Sequence, residues 1–383
     1  MSLSKITFYP VGNGGMTYLQ LNDAENISIL IDMNTRSAAD NENNDEYYDV
    51  SSHLRENLKE NSDGRPYVDY FILTHNDDDH INGLKKHFHL GSIAEYQDPI
   101  IDEEAKIIIN EIWGTSRIWK RASNDNKLSD DAKAFNKEMK RRVSLFEENG
   151  EIQNDGDKVK IIGIDPEGKT DGLDDIVVEI GNELGISANK LQINLLGPIE
   201  QQEDEDEDDF FESNRNSIIL QISIIEQEYN NEILITGDAG VFVWENMKRI
   251  YKSEGLLDYD IMSAPHHCSR LSLGRIYDGN FEISDTATNA LNNIKKGAFI
   301  VSSSKPIKNN DDDPPSQDAK DIYTNIVVSD HFLCTEEYPK EEDVAPIIIQ
   351  LTNSGPKLKS AKAKAKLQKA SEKATGEVYP HGK

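Results

Sequence analysis

The sequence predicts an α/β sandwich of two sheets flanked by helices, and three observations carry that expectation. Three apolar runs end in clusters of histidine, carboxylate or glycine: Tyr70-Phe71-Ile72-Leu73, Ile233-Leu234-Ile235 and Tyr259-Asp260-Ile261-Met262. Helical patterns lie between them, the clearest from Asp131 to Glu148. With 383 residues and 37% hydrophobic side chains, the chain can bury most of its length in one such domain.

The first strand end leads into Thr74-His75-Asn76-Asp77-Asp78-Asp79-His80, two histidines and three carboxylates in seven residues. Strand-end loops can hold several ligands close together, and imidazole with carboxylate is a donor set for zinc, manganese or iron rather than for a thiolate-selected metal. A helix is expected directly after this run, with Asp79 or His80 in its first turn, where free amides and the helix dipole stabilise a carboxylate. Ala105 to Trp113 and Asp131 to Glu148 both read as helical, the second capped by Ser129 with Leu128 as a staple. They define an inserted helical region at about 101–150, whose default role is core packing and whose functional alternatives are a roof over the site or a dimer contact.

Farther on, residues 203–209 are all acidic, a loop with nothing apolar to bury. Asn214 precedes the next apolar run, Ile218-Ile219-Leu220. Ile233-Leu234-Ile235 ends in Thr236-Gly237-Asp238, followed by a helix over Val241 to Tyr251. Tyr259 to Met262 leads through Ser263-Ala264-Pro265 to His266-His267-Cys268-Ser269, after which Thr286 to Lys296 reads as a surface helix and Gly297 to Ile300 as a strand. Three separate strand ends therefore deliver ligand-capable side chains.

Charge and composition exclude several classes. A net charge of −29 argues against wrapping nucleic acid with a broad basic surface. Eight lysines against two acids over 351–383 make that stretch +6, leaving −35 on the first 350 residues. This lysine-rich tail and the helical insertion are the candidate sites of homodimer or protein contacts. No run of about 18 apolar residues and no signal segment is found, so no membrane partner is expected. Two cysteines, Cys268 and Cys334, fit a reducing cytoplasm.

The motifs resemble the metallo-β-lactamase superfamily, specifically the branch typified by the soluble hydrolase domain of bacterial competence DNA-uptake channel proteins. That branch carries Thr/Ser-His-x-Asp-x-Asp-His, Leu-Leu-Thr-Gly-Asp and His-His-Gly-Ser elements, matched by Thr74 to His80, Leu234 to Asp238 and His266 to Ser269. Phe8 to Gly15 with Ile29-Leu30-Ile31-Asp32 is similar to its first hairpin, so the resemblance spans about residues 5–337.

The resemblance implies a metallo-β-lactamase αββα sandwich over residues 1–350 and two divalent metal ions, zinc or manganese. It gives His75 and Asp77 to one metal, Asp79 and His80 to the other, and Asp238 to a bridge between them. Of the adjacent pair, the more distant likeness to choline-phosphate esterases makes His267 the ligand and leaves His266 facing substrate. Asn214 stands where the superfamily normally has a histidine and is a further candidate ligand. Cys268 replaces a usual glycine and is expected to be a small buried side chain, while Asp311-Asp312-Asp313-Pro314-Pro315 replaces a histidine-proline pair. Asp79, Asp238 and His266 are the catalytic candidates, and Arg36, Lys305 and Lys308 are the basic residues best placed for phosphate. The expected activity is hydrolysis of a phosphodiester, in DNA or a small nucleotide. A lactone or small-ester hydrolase and a metal-stabilised interaction module are the alternatives.

Overall fold

The computed structural model describes residues 3–40, 47–99, 104–119, 128–152, 154–165, 167–184, 186, 189–199, 216–251, 255–310 and 312–360. Asn214, the acidic run and 361–383 of the tail lie outside the described residues. No described helix is long and apolar enough to cross a membrane.

The first sheet takes β1 (Lys5–Phe8), β2 (Thr17–Gln20), β3 (Ser28–Ile31), β4 (Lys59–Glu60), β5 (Pro66–Ile72), β6 (Ile108–Thr115), β7 (Lys158–Ile162) and β8 (Val177–Val178). The second takes β9 (Glu183–Leu184), β10 (Leu191–Gly197), β11 (Ile219–Glu226), β12 (Tyr229–Ile235), β13 (Tyr259–Ser263), β16 (Ile294–Ser302) and β17 (Phe332–Cys334). A separate ribbon pairs β14 (Gly274–Tyr277) with β15 (Asn280–Ile283), and the chain then returns to the first sheet with β18 (Ile347–Thr352) and β19 (Gly355–Leu358).

Side chains alternate across each strand, so both faces of both sheets need cover. On β3, Ile29 and Ile31 point into the space between the sheets, where they meet Leu220, Ile222, Ile233 and Ile261, while Leu30 points outward. The outer face of the first sheet packs against α1 (Val50–Glu56), α2 (Asp78–Ile81), α3 (Leu84–His87) and α4 (Asp130–Asn149). Helices α5 (Val241–Ile250), α6 (Asp285–Leu291) and α7 (Gln317–Ile326) cover the second. Helix, sheet, sheet, helix is the αββα sandwich expected, with α4 as its inserted helical segment.

In each sheet the pairing changes from antiparallel to parallel partway across, between β2-β3 and β3-β5 in the first and between β11-β12 and β12-β13 in the second. Open sheets bind ligands outside the carboxyl ends of such strands, where neighbouring connections diverge. The four loops leaving β3, β5, β12 and β13 carry Asp32, Thr74 to His80, Asp238 and His266-His267.

Three expectations need correction. Residues 105–113 are not helical: Ile108–Thr115 forms β6, paired in parallel with β5 and β7, because its β-branched residues are buried between two strands. The tail does not begin at 351, since β18 and β19 carry the first sheet to Leu358. The helix expected over Thr286 to Lys296 ends at Leu291, and Ile294 already belongs to β16.

Helix α4 follows its sequence closely. The Ser129 hydroxyl accepts from Ala132 N–H at 3.2 Å, and Gly150 closes the other end with a left-handed φ of 73°. Phe135, Met139, Val143 and Phe146 lie on the outer face of the first sheet. Asp131 accepts from the backbone N–H groups of Gly83 and Lys85, both at 2.9 Å, and Asn136 accepts from Asn76 Nδ2 at 3.0 Å, so the start of α4 braces the first motif and the segment after it.

Candidate metal centre

The centre is assembled from the second motif position outward. β5 stops at Ile72, and the Thr74 carbonyl accepts from Ile218 N–H at 3.0 Å, which joins the motif loop to the entry of the second sheet. Asp32, buried and left-handed at φ 55°, lies behind that loop. Its carboxylate accepts from Thr74 N–H at 2.7 Å and Thr74 Oγ1 at 2.7 Å, and its Oδ2 is 2.8 Å from His80 Nδ1. This contact turns His80 Nε2 toward Asp238 Oδ1 at 3.2 Å. A carboxylate on the remote nitrogen fixes ring orientation and tautomer and raises the basicity of the other nitrogen.

Asp238 occupies the middle. Its Oδ2 lies 3.6 Å from His75 Nε2, 3.4 Å from His267 Nε2 and 3.8 Å from His266 Nε2. Ser217 Oγ accepts from its backbone N–H at 3.0 Å, and Gly237 precedes it at φ 49°, where an added Cβ would sit 2.8 Å from Ser217 Cβ. The turn is therefore held from both sides.

His266, His267 and Cys268 are left-handed in succession, at φ 48°, 52° and 68°. Non-glycine residues rarely adopt that conformation, and here it points neighbouring rings in different directions. His267 is buried, with Nε2 3.3 Å from Asp79 Oδ2 and Nδ1 3.0 Å from the Ser303 carbonyl. Gly14 N–H also approaches Nδ1 at 3.1 Å, a contact that only the opposite tautomer accepts. A ring donating to Ser303 leaves the Nε2 lone pair facing Asp79 and Asp238. His266 is 23% exposed on its side chain and sits at the rim.

Two overlapping groups result, His75 with His80 and Asp238, and Asp79 with His80 and His267. Within each, one ligand atom per residue falls within 4.8 Å of the others, the close spacing of a binuclear site. Three features fit cations there. His75 Nε2 is buried without a hydrogen-bond partner among the described residues. His80 Nε2 and His267 Nε2 face each other at 3.1 Å, an arrangement that a shared cation environment satisfies. Burial opposes charge on His80 and His267, yet Asp238 outweighs it, together with Asp32 for His80, holding His80 well above the usual imidazole range and His267 at about 9. Likewise, burial favours the neutral form of Asp238, but His267, His80 and His75 keep its carboxyl well below the usual carboxylate range. The carboxylates thus draw positive charge into a buried cluster, and this donor set suits metal-dependent hydrolysis.

The expected residues do not all converge equally. His80 falls in both groups, with Nε2 as its one nitrogen not held by Asp32. Asp77 is 57% exposed on its side chain and lies 3.6 Å from His75 Nε2, outside both groups. Asp78 is exposed and ligates in neither group. Cys268 is buried, its Sγ 3.9 Å from the Ser316 carbonyl, and burial pushes its thiol pKa up, as a small core side chain requires.

Asp32 is the residue whose role sequence reading missed, although it was noted within the first hairpin. Gly15 is another, since an added Cβ would meet Asp32 Oδ2 and His80 Nδ1 at 2.7 Å each. The only available signal was an aspartate and a glycine pair at strand ends near the histidine motif. Asp32→Asn is expected to weaken divalent-metal affinity about 10- to 100-fold while the chain stays folded. Titration of metal-free protein with zinc, followed by competition with a chelator, measures this, and unchanged affinity would rule out the orienting role.

No protein-family model matches the chain, and no curated protein matches its sequence. Among solved structures, unliganded yeast PDE1 aligns at 11% identity and a TM-score of 0.41, over 87% of this chain and 96% of that one. A variant of the CmlA β-hydroxylase aligns at 11% identity and a TM-score of 0.39 over 86% of this chain, which spans 52% of that protein. The metallo-β-lactamase SMB-1 with 2-mercaptoethanesulfonate aligns at 12% identity and a TM-score of 0.29, over 67% of this chain and 78% of that one. None of these three is a competence DNA-uptake protein. At such scores the αββα assignment stands on the strand order and layering of the chain itself.

Proposed function

We propose that the chain is a binuclear metal-dependent hydrolase that cleaves a phosphodiester, in DNA or a small nucleotide, and that its motifs place it nearest the competence branch. The observation that carries the reading is the pair of donor groups sharing His80 around the buried Asp238. His75, His80, Asp79, His267 and Asp238 would hold two ions, zinc or manganese, with Asp77 and Asn214 as the remaining candidate ligands. Once bound, such ions polarise the group under attack and make hydroxide available from water near neutral pH.

The remaining steps belong to the chain. Asp32 fixes the His80 ring, and Ser303 fixes that of His267. Asp77, Asp79 and Asp238 set three negative charges against two dications, leaving about one positive charge to attract an anionic group. His266, 3.8 Å from Asp238 and partly exposed, would donate a hydrogen bond to a non-bridging oxygen, or a proton to the leaving oxygen.

The test is metal content per chain and hydrolysis of bis(p-nitrophenyl) phosphate with added manganese or zinc, in parallel with Asp238→Asn. About two metals per chain are expected, with turnover at least ~100-fold lower in the variant. Two metals without turnover would favour the ester-hydrolase or interaction alternatives, and no metal binding would sink the mechanism.

A further inference from the structure

Beside the centre lies a cavity of about 520 Å³ that the hydrolytic chemistry above does not use. The turn Gly12-Asn13-Gly14 separates the two. On one side Gly14 N–H approaches His267 Nδ1 at 3.1 Å. On the other, Asn13 bridges the cavity wall, accepting from Lys305 N–H at 3.1 Å and donating to the Pro314 carbonyl at 2.8 Å. Gly12 lets Arg36 lie against the turn, since an added Cβ would come within 2.7 Å of Arg36 Nη1.

The cavity's charges are unevenly engaged. Glu336 pairs with Arg36 at 2.5 Å, Asp313 with Arg270 at 3.3 Å, and Asp312 accepts from Asn310 Nδ2 at 2.6 Å. Lys305 and Lys308 also line the cavity, and among the described residues neither ammonium has a carboxylate within ion-pair distance. The apolar part of the lining is the Tyr47 ring, which lies under the Arg36 guanidinium at 5.3 Å, with Pro306, Pro314 and Pro315. Two lysines and an aromatic ring lining one cavity suit a phosphate joined to a planar base. The volume suits one such unit. A net charge of −29 repels a long polyanion and disfavours it against a substrate carrying one or two phosphates.

We propose that this cavity binds a nucleoside monophosphate unit of a short phosphodiester, with the base against Tyr47 and the phosphate on Lys305 and Lys308. The inference rests on the phosphodiesterase reading and narrows its substrate to a small nucleotide rather than a DNA strand.

Calorimetric titration of the full chain, metal-loaded and metal-free, with AMP, adenosine and inorganic phosphate tests it. AMP is expected to bind about tenfold or more tighter than either fragment, in both metal states. Lys305→Ala with Lys308→Ala should weaken AMP about tenfold and leave adenosine unchanged. Tyr47→Ala should weaken AMP and adenosine about tenfold and leave phosphate unchanged. AMP binding no tighter than phosphate, or variants that bind AMP as the parent chain does, would overturn the proposal. AMP binding to the metal-free chain without any phosphodiester turnover would defeat the proposed function and leave this site standing. Turnover without AMP preference would do the reverse.

Discussion

Replacing His80 with alanine is expected to remove both metals, not one. The imidazole belongs to both donor groups, and its two nitrogens are engaged by carboxylates on opposite sides, Asp32 at 2.8 Å and Asp238 at 3.2 Å. Truncation leaves two buried carboxylates without the ring that lies between them. Uncompensated buried charge of this kind costs about 3–5 kcal/mol. The variant should therefore show metal content near zero by atomic emission, turnover lost, and a lower denaturation midpoint. A variant that retained one ion per chain would show that the two groups hold their ions independently.

Arg142→Ala should give the largest purely structural loss. The side chain is 1% exposed, inside α4, and four contacts satisfy it: Glu138 Oε1 at 2.8 Å and the carbonyls of Lys158 at 2.9 Å, Ile109 at 3.0 Å and Asn110 at 3.4 Å. It thereby ties the helix to β7 and to β6 at once. Removing it leaves buried Glu138 with the partly exposed Arg141 as its remaining charged partner and takes a donor from the Ile109 and Lys158 carbonyls. The expected cost is about 3–5 kcal/mol, read as a shift in the urea midpoint with little change in slope. Lysine should not rescue it, because one ammonium cannot reproduce the planar fork that reaches a carboxylate and three carbonyls. A shift below about 1 kcal/mol would mean that Glu138 is served by Arg141 alone.

What the sequence made legible was local. His75, Asp79 and His80 declare themselves within a few residues of a strand end, and α4 carries its cap, its apolar stripe and its closing glycine in order. Arg142 lies beside Val143 and one turn from Met139 and Phe146, but nothing in the sequence said that a guanidinium there would be satisfied by two neighbouring strands. Residues 105–113 failed for a related reason: Ile107-Ile108-Ile109 and Ile112-Trp113 fit either period, and pairing with β5 and β7 decides the outcome. Asp32 was out of reach because its role depends on a left-handed backbone and on partners 42 and 48 residues away. Gly14 and Gly15, too short a run for a phosphate cradle, instead permit close approach to His267, Asp32 and His80.

Each donor group draws two residues from the loop after β5 and one from the second sheet: His75 and His80 with Asp238, and Asp79 and His80 with His267. During synthesis, a chain that has emerged only as far as the end of the first parallel strands owns no complete set and has nothing with which to keep an ion. The first set closes only after Asp238 is made and the second only after His267, and both require the two sheets to have come face to face. Retention of metal thus reports that the halves have joined, and each retained ion adds its binding free energy to the seam between them.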